Sequence, residues 1–232
     1  MKPIPHLTLI AAGLIALAPH LPAAVLVDYT FTSLNGNPTT TDPHATATGL
    51  TKGAGVQLTY GTPTWNAPGG GGAAAIGNSG VTTEAGAISG NDYVEFTLTA
   101  GLGYEMDLSS LTFNFARNNS SAPNQIFVRS SIDSFGSNLY TSSFPSTIPN
   151  YNSANISLSA GSFQNLTGSV TFRIYAYHGS GSTSLGSPLY LDNLTLNGIT
   201  APVVIPEPGS LALGGLGLLI LAVRPRGRRR LA

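Results

Sequence analysis

Apolar and polar side chains alternate along much of residues 25–200, and no long stretch repeats its apolar positions every 3.6 residues, as an amphipathic helix does. Alternation marks a half-buried strand, because successive side chains point to opposite faces. Residues 25–31 predict a first strand with Val27, Tyr29 and Phe31 on one face and Leu26, Asp28 and Thr30 on the other. Residues 57–60 predict a short one. In residues 92–98, Val94, Phe96 and Leu98 oppose Tyr93, Glu95 and Thr97; in 108–115, Leu111, Phe113 and Phe115 share a side. Strands are also expected over 125–132 and 154–159, with a turn at 133–136 between them. The strongest pattern is 170–177, which turns either Phe172, Ile174 and Ala176 or Arg173, Tyr175 and Tyr177 inward. Residues 189–199 close the domain, setting Leu189, Leu191 and Asn193 against Tyr190, Asp192 and Leu194.

About eight to ten short strands separated by Gly, Asn and Ser turns predict an all-β, two-sheet β-sandwich. Residues 35–49 read as a turn-rich connection. Residues 62–90 read as a Gly-rich flexible loop, because Pro68 is followed by four glycines and glycine loses the most backbone entropy when fixed. The run lacks the Lys-Ser/Thr of a phosphate-binding loop.

Beyond residue 200 the pattern changes. Residues 201–208 form a linker ending in Pro206, Glu207 and Pro208, and the prolines hold it extended. Residues 209–223 are an apolar run, short for a span of about 20 residues but able to enter lipid as a helix. Arg224, Arg226, Arg228, Arg229 and Arg230 then hold the 224–232 tail on the cytoplasmic side. This order resembles the PEP-CTERM sorting signal of Gram-negative bacteria that build an extracellular polysaccharide matrix. The same kind of tail also carries the label of an ice-binding-protein C-terminal domain, which by itself says nothing about ice. Pro206, Glu207 and Pro208 match the signature and the arginines match its basic end, although Pro225 and Gly227 interrupt them. The resemblance implies processing by an exosortase-type membrane protease, transient residence in the inner membrane, and delivery to the cell surface or matrix. A second, weaker resemblance lies in the order Phe-Arg-Ile-Tyr-Ala, Gly-rich loop, Leu-Asp-Asn-Leu. It is similar to the ends of PEP-CTERM passenger domains and of jelly-roll carbohydrate-binding modules, and implies a jelly-roll-like sandwich with extracellular polysaccharide as a ligand class.

The other end agrees with export. Lys2, an apolar stretch over 7–17 and small residues at Ala18, Ala23 and Ala24 read as a 1–24 signal peptide, its helix cut after Ala23 or Ala24. That leaves residues 25–200 as the exported domain. Its four cations are Lys52, Arg117, Arg129 and Arg173, against nine acidic residues, a balance near −5 that the neutral total of the whole chain conceals. Clustered Lys and Arg are what phosphate binding needs, so nucleic acid is not an expected partner, and docking on anionic lipid is disfavoured. With no cysteine, disulfides, thiolate metal sites and cysteine nucleophiles are absent.

Candidate chemistry is sparse. His44 and His178 are the only histidines of the domain, and His178 reads as a solvated loop residue. Glycoside hydrolysis needs two converging carboxylates; Glu95, Glu105, Asp107, Asp133 and Asp192 are candidates, while Asp92, Glu95 and Glu105 read as solvated strand or turn groups. Asp192 sits in an apolar strand and must find partners, either Arg173 in an ion pair or a calcium ion shared with loop carbonyls. Trp65, Tyr140, Tyr151, Tyr175, Tyr177 and Tyr190 offer faces for sugar, and equally for a core. Asn118, Asn119, Asn155, Asn165 and Asn193 begin Asn-x-Ser/Thr triplets, which a Ser/Thr/Asn-rich chain produces by chance, and O-linked sugar on residues 39–41 is a further option. The expectation is a non-enzymatic, structural or adhesive surface protein without metal or cofactor; a polysaccharide-binding module and a secreted carbohydrate-active enzyme are its rivals.

Overall fold

The computed structural model describes residues 23–64, 72–78, 80–145, 147–179 and 187–204; the expected signal segment, Trp65 with the glycine run, and the sorting tail lie outside the described residues. In chain order the strands are β1 (Ala24–Tyr29), β2 (Thr40–Thr41), β3 (Ala45–Ala47), β4 (Thr51–Lys52), β5 (Val56–Gly61), β6 (Ala73–Asn78), β7 (Tyr93–Ala100), β8 (Tyr104–Arg117), β9 (Gln125–Ser130), β10 (Tyr140–Ser143), β11 (Asn152–Ser157), β12 (Ser169–Tyr177) and β13 (Leu189–Pro202). Among the described residues one α-helix, α1 (Glu84–Gly90), lies between β6 and β7.

The strands form two antiparallel sheets facing each other, the β-sandwich that the alternation predicts. The first follows the order β11-β8-β13-β1-β2, with β6 joining β13 to β5. The second follows β10-β9-β12-β7-β3, with β4 also on β7. Inward residues of both sheets meet in one core: Leu111, Phe113 and Phe115 from β8, Val94, Phe96 and Leu98 from β7, and Phe172, Ile174 and Ala176 from β12. The first of the two registers open to β12 is therefore the real one. Tyr29 packs on Phe96 at 5.4 Å and Phe96 on Phe172 at 5.5 Å, while the buried Tyr29 hydroxyl donates to Thr48 O at 2.6 Å.

Three register shifts interrupt simple alternation, one of them where Asn197 and Gly198 of β13 face Ser110 and Leu108 of β8. In β1 the pairing slips between Val25 and Val27, so Leu26 and Val27 are both fully buried rather than on opposite faces. In β13 it slips between Asp192 and Thr195, where Asn193 takes a left-handed conformation (φ 51°). An extra residue in one strand resets which side chains face inward. Leu189 and Leu191 are buried before this bulge, Leu194 and Leu196 after it, and Asp192 is buried within it.

The 62–90 segment is not a single flexible loop. Its second half holds β6, whose alanines pair with both β5 and β13, and α1. Thr83 caps the helix by accepting from Gly86 N at 3.1 Å, and Asn91 ends it in a left-handed conformation. Ala87 of α1 then covers Phe127 and Tyr175 on the outer face of the second sheet, a small second core. The alternation could not announce either element, because a four-residue apolar run and a single helical turn or two carry almost no periodicity.

Both described chain ends leave from one pole. β1 starts opposite Gly198, and β13 runs on past that pairing to Pro202, opposite Tyr104 at the start of β8. The β7–β8 hairpin turn, residues 101–103, occupies the same pole, where Val203 N donates to Gly103 O at 2.9 Å.

Candidate functional site

The outer face of the second sheet gathers two of the domain's four cations, Arg129 and Arg173, and several of its aromatic rings. Arg173 on β12 stands directly across from Glu95 on β7, and their side chains pair at 2.8 Å. The guanidinium lies between two rings, 4.2 Å from the centroid of Tyr93 and 3.9 Å from that of Phe135. Burial works against the charge of Arg173, but hydrogen bonds to Glu95 and Tyr175 outweigh it and hold the cation more firmly than usual. Arg129 on β9 pairs with Glu84 of α1 at 2.9 Å, donates to Asn138 Oδ1 at 2.6 Å and to Phe135 O at 2.8 Å, and lies over Phe127. Beside these, Tyr175 stacks on Phe127 at 4.4 Å and meets Tyr93 edge-on at 5.2 Å; both Tyr93 and Tyr177 remain partly open to solvent.

Asp133 holds the turn that delivers Phe135. Its carboxylate accepts from Gly136 N, Ser137 N and the Ser137 hydroxyl, and that hydroxyl bond is the main reason its pKa lies below the usual range. Ser134 and Phe135 both adopt positive φ there. Tyr93 and Phe135 were not candidates in the sequence reading. Tyr93 shares an outward face with Glu95 and so was within reach of the alternation; Phe135 owes its place to a turn conformation that no sequence pattern announces.

The other candidates are dispersed. Arg173 is engaged by Glu95, so the expected Arg173–Asp192 pair does not form. Asp192 is buried in the β13 bulge, accepting from Asn193 N at 2.8 Å. Burial first, and then nearby Asp28, push its carboxyl up to about 7. Asp28 is itself engaged by the Thr195 hydroxyl at 2.8 Å. Asp92 is not a solvated group: it is fully buried, neither carboxylate oxygen has a hydrogen-bond partner among the described residues, and burial lifts it to about 6. It points inward because it continues the Val94–Phe96–Leu98 face of β7 by one more pair of residues. His178 is likewise buried rather than solvated, since it continues the inward face of β12; burial and then Arg117 lower its pKa, leaving the ring neutral. Asp107 accepts from Asn165 N at 2.6 Å, and Glu105, half-buried, pairs with Ala201 along the sheet edge of the pole. His44 stacks on Tyr104 at 4.0 Å.

Of the candidate aromatic residues, Tyr175 is in the second core and Tyr177 at its rim, Tyr140 packs on the main core, and Tyr151 and Tyr190 pack around Ala73 and Ala116. A shallow cavity of about 250 Å³ lies elsewhere, lined by Phe31, Thr32, Ser33, Asn35, Asn37, Pro38 and Thr39. Among the described residues no three His, Asp or Glu side chains converge as metal ligands, and no helix is long and apolar enough to cross a membrane.

The decisive comparison concerns the tail. Residues 204–230 match the model of the PEP-CTERM protein-sorting motif. The chain carries that sorting motif. It marks an exported, membrane-transiting protein sorted to the cell surface. No curated protein matches the chain. Among solved structures, the K1 cleaved adhesin domain of Lys-gingipain from Porphyromonas gingivalis W83 is 16% identical, with 75% of this chain and 97% of that one covered and a TM-score of 0.41. The CBM22-1–CBM22-2 tandem domain of Paenibacillus barcinonensis Xyn10C is 12% identical over 82% of this chain and 50% of that one, with a TM-score of 0.45. A family 35 carbohydrate-binding module from Clostridium thermocellum is 16% identical over 73% of this chain and 96% of that one, with a TM-score of 0.37.

Proposed function

We propose that this protein is a non-enzymatic, structural or adhesive component of the cell surface or extracellular matrix. In this reading a signal peptide starts its export. The 209–223 run holds it briefly in the inner membrane with Arg224, Arg226, Arg228, Arg229 and Arg230 inside. An exosortase-type protease then cuts near Pro206, Glu207 and Pro208. The observation that carries the reading is the sorting motif directly behind a β-sandwich. Support comes from the carboxylates: Glu95 and Asp133 are engaged in holding the fold, and Asp92 and Asp192 are buried. The test is intact mass of the protein from its native host after fractionation. A mass lacking the leader and everything beyond about residue 208, in the surface or matrix fraction, is expected. The arginine tail retained in the membrane fraction would mean a plain anchor and overturn the sorting role.

The matrix ligand we infer is extracellular polysaccharide, and one observation favours it. Tyr93 and Tyr177 keep partly open rings on a sheet face that also presents Arg173, Glu95 and Gln125, and flat rings beside planar polar groups suit sugar. Saturable retention on the producer's polysaccharide, lost in Tyr93→Ala with Tyr177→Ala, is expected. Release of reducing sugar in the same assay would point to the carbohydrate-active enzyme instead.

A further inference from the structure

The geometry points to the pole from which the chain leaves for its tail as a membrane-docking surface, with Leu102 as the side chain that enters the lipid interface. This rests on the reading that residues 209–223 sit in the bilayer before processing. Leu102 is the tip of the β7–β8 hairpin and is 102% exposed, the most exposed large hydrophobic side chain among the described residues. Val204 follows at 85%, and Val25, the second residue of β1, at 42%. Leu34, at the far end of β1, is the fourth and last of this exposed group, so three of its four members lie at or toward the exit pole. A scattered leucine on a surface means little; a leucine at the pole facing the anchor is differently placed.

The turn that presents Leu102 is held firmly. Gly101 N donates to His44 O at 2.7 Å, Tyr104 N to Gly101 O at 3.0 Å, and Gly103 takes φ +80°, a conformation that a side chain would strain. His44, stacked on Tyr104, is itself fixed by Asp42, whose Oδ1 accepts from His44 N at 2.8 Å and from the Thr200 hydroxyl at 3.1 Å. Val203 N donates to the carbonyl of Gly103, so the departing chain is stapled to the residue next to Leu102.

The length of chain beyond that staple selects lipid as the occupant. From Val204 to Gly209, where the apolar run starts, is five residues, which fully extended reach at most about 18 Å. The headgroup layer takes up about 5–8 Å of that. The tether therefore keeps the pole within about 10–13 Å of the membrane surface for as long as the run stays in the bilayer. Charge does not draw it there, since Asp42, Glu105 and Asp107 are its acidic neighbours; the tether supplies the local concentration that charge does not. Docking should accordingly not weaken as salt rises, since salt only screens the repulsion between these carboxylates and anionic lipid.

The absence of cysteine makes the test direct. The full chain is reconstituted into phosphatidylethanolamine–phosphatidylglycerol vesicles after a polarity-sensitive dye is placed on Leu102→Cys or, at the opposite pole, on exposed Ser120→Cys. The dye at 102 is expected to shift to the blue and lose severalfold in quenching by aqueous iodide, in low and high salt alike, while the dye at 120 behaves as in solution. Chain that floats with the vesicles but leaves both dyes equally quenched overturns the docking surface alone. Chain that does not float overturns the membrane-anchored reading as well. Protection seen in the producer's membranes but not in these vesicles assigns the pole to a membrane protein and overturns the lipid assignment.

Discussion

Asp92 is the residue whose environment departs furthest from its chemistry. Burial raises its carboxyl from 3.8 to about 6. Between those values the folded chain keeps a proton that the unfolded chain has released, so this group's contribution to stability is greatest at low pH. It falls as pH rises through about 4 to 6, and stays lower above. Each unit of separation is worth about 1.4 kcal/mol, which puts the loss near 3 kcal/mol. Asp192, raised to about 7, acts in the same direction and extends the window upward. Asp92→Asn is expected to be more stable than the parent by about 1–3 kcal/mol at pH 8, and to shrink toward parity at pH 4, by urea titration. An unchanged difference across pH would mean that the carboxylate is ionised and satisfied in the fold. The surroundings are built for a small group: a Cβ on Gly55 would collide with Asp92 Oδ1 and with Gly90 O, so the β4–β5 turn closes directly over the carboxyl.

Among the elements that sequence periodicity missed, α1 depends on a single side-chain cap. Thr83 satisfies Gly86 N, and a cap of this type contributes about 1 kcal/mol. Thr83→Ala is expected to lower the unfolding free energy obtained by urea titration by that amount. It should also raise the accessibility of Phe127 and Tyr175, read as their fluorescence and exchange environment. The strands themselves were legible because half of each one's residues face the core: Val94, Phe96 and Leu98 on β7, and Phe172, Ile174 and Ala176 on β12, fall where alternation puts them. Alternation fails at Leu26 and Asp192 for one physical reason, an inserted residue that shifts the register. It fails differently at Asp92 and His178. Both keep the inward parity of their strands, and it was their polarity that suggested solvent. The Arg173 site was half legible. Glu95 and Arg173 both belong to alternating strands, but only the pairing of β7 with β12 sets them face to face, and Phe135 arrives from a turn.

At the scale of the molecule, the first sheet is completed by its last strand. β13 lies between β8 and β1 and pairs along nearly its whole length with β8, so it is the central member rather than an edge. β1, the first strand of the described chain, has β13 on one side and only the two residues of β2 on the other. A chain threaded outward from its N-terminus thus delivers β1 early and its principal partner last, across more than 150 residues of sequence. Because β13 ends at Pro202 and the sorting motif begins at residue 204, the strand that locks the sandwich and the start of the signal that directs it leave synthesis almost together. The fold works as its own clock: a chain short of its keystone is also a chain short of its address label.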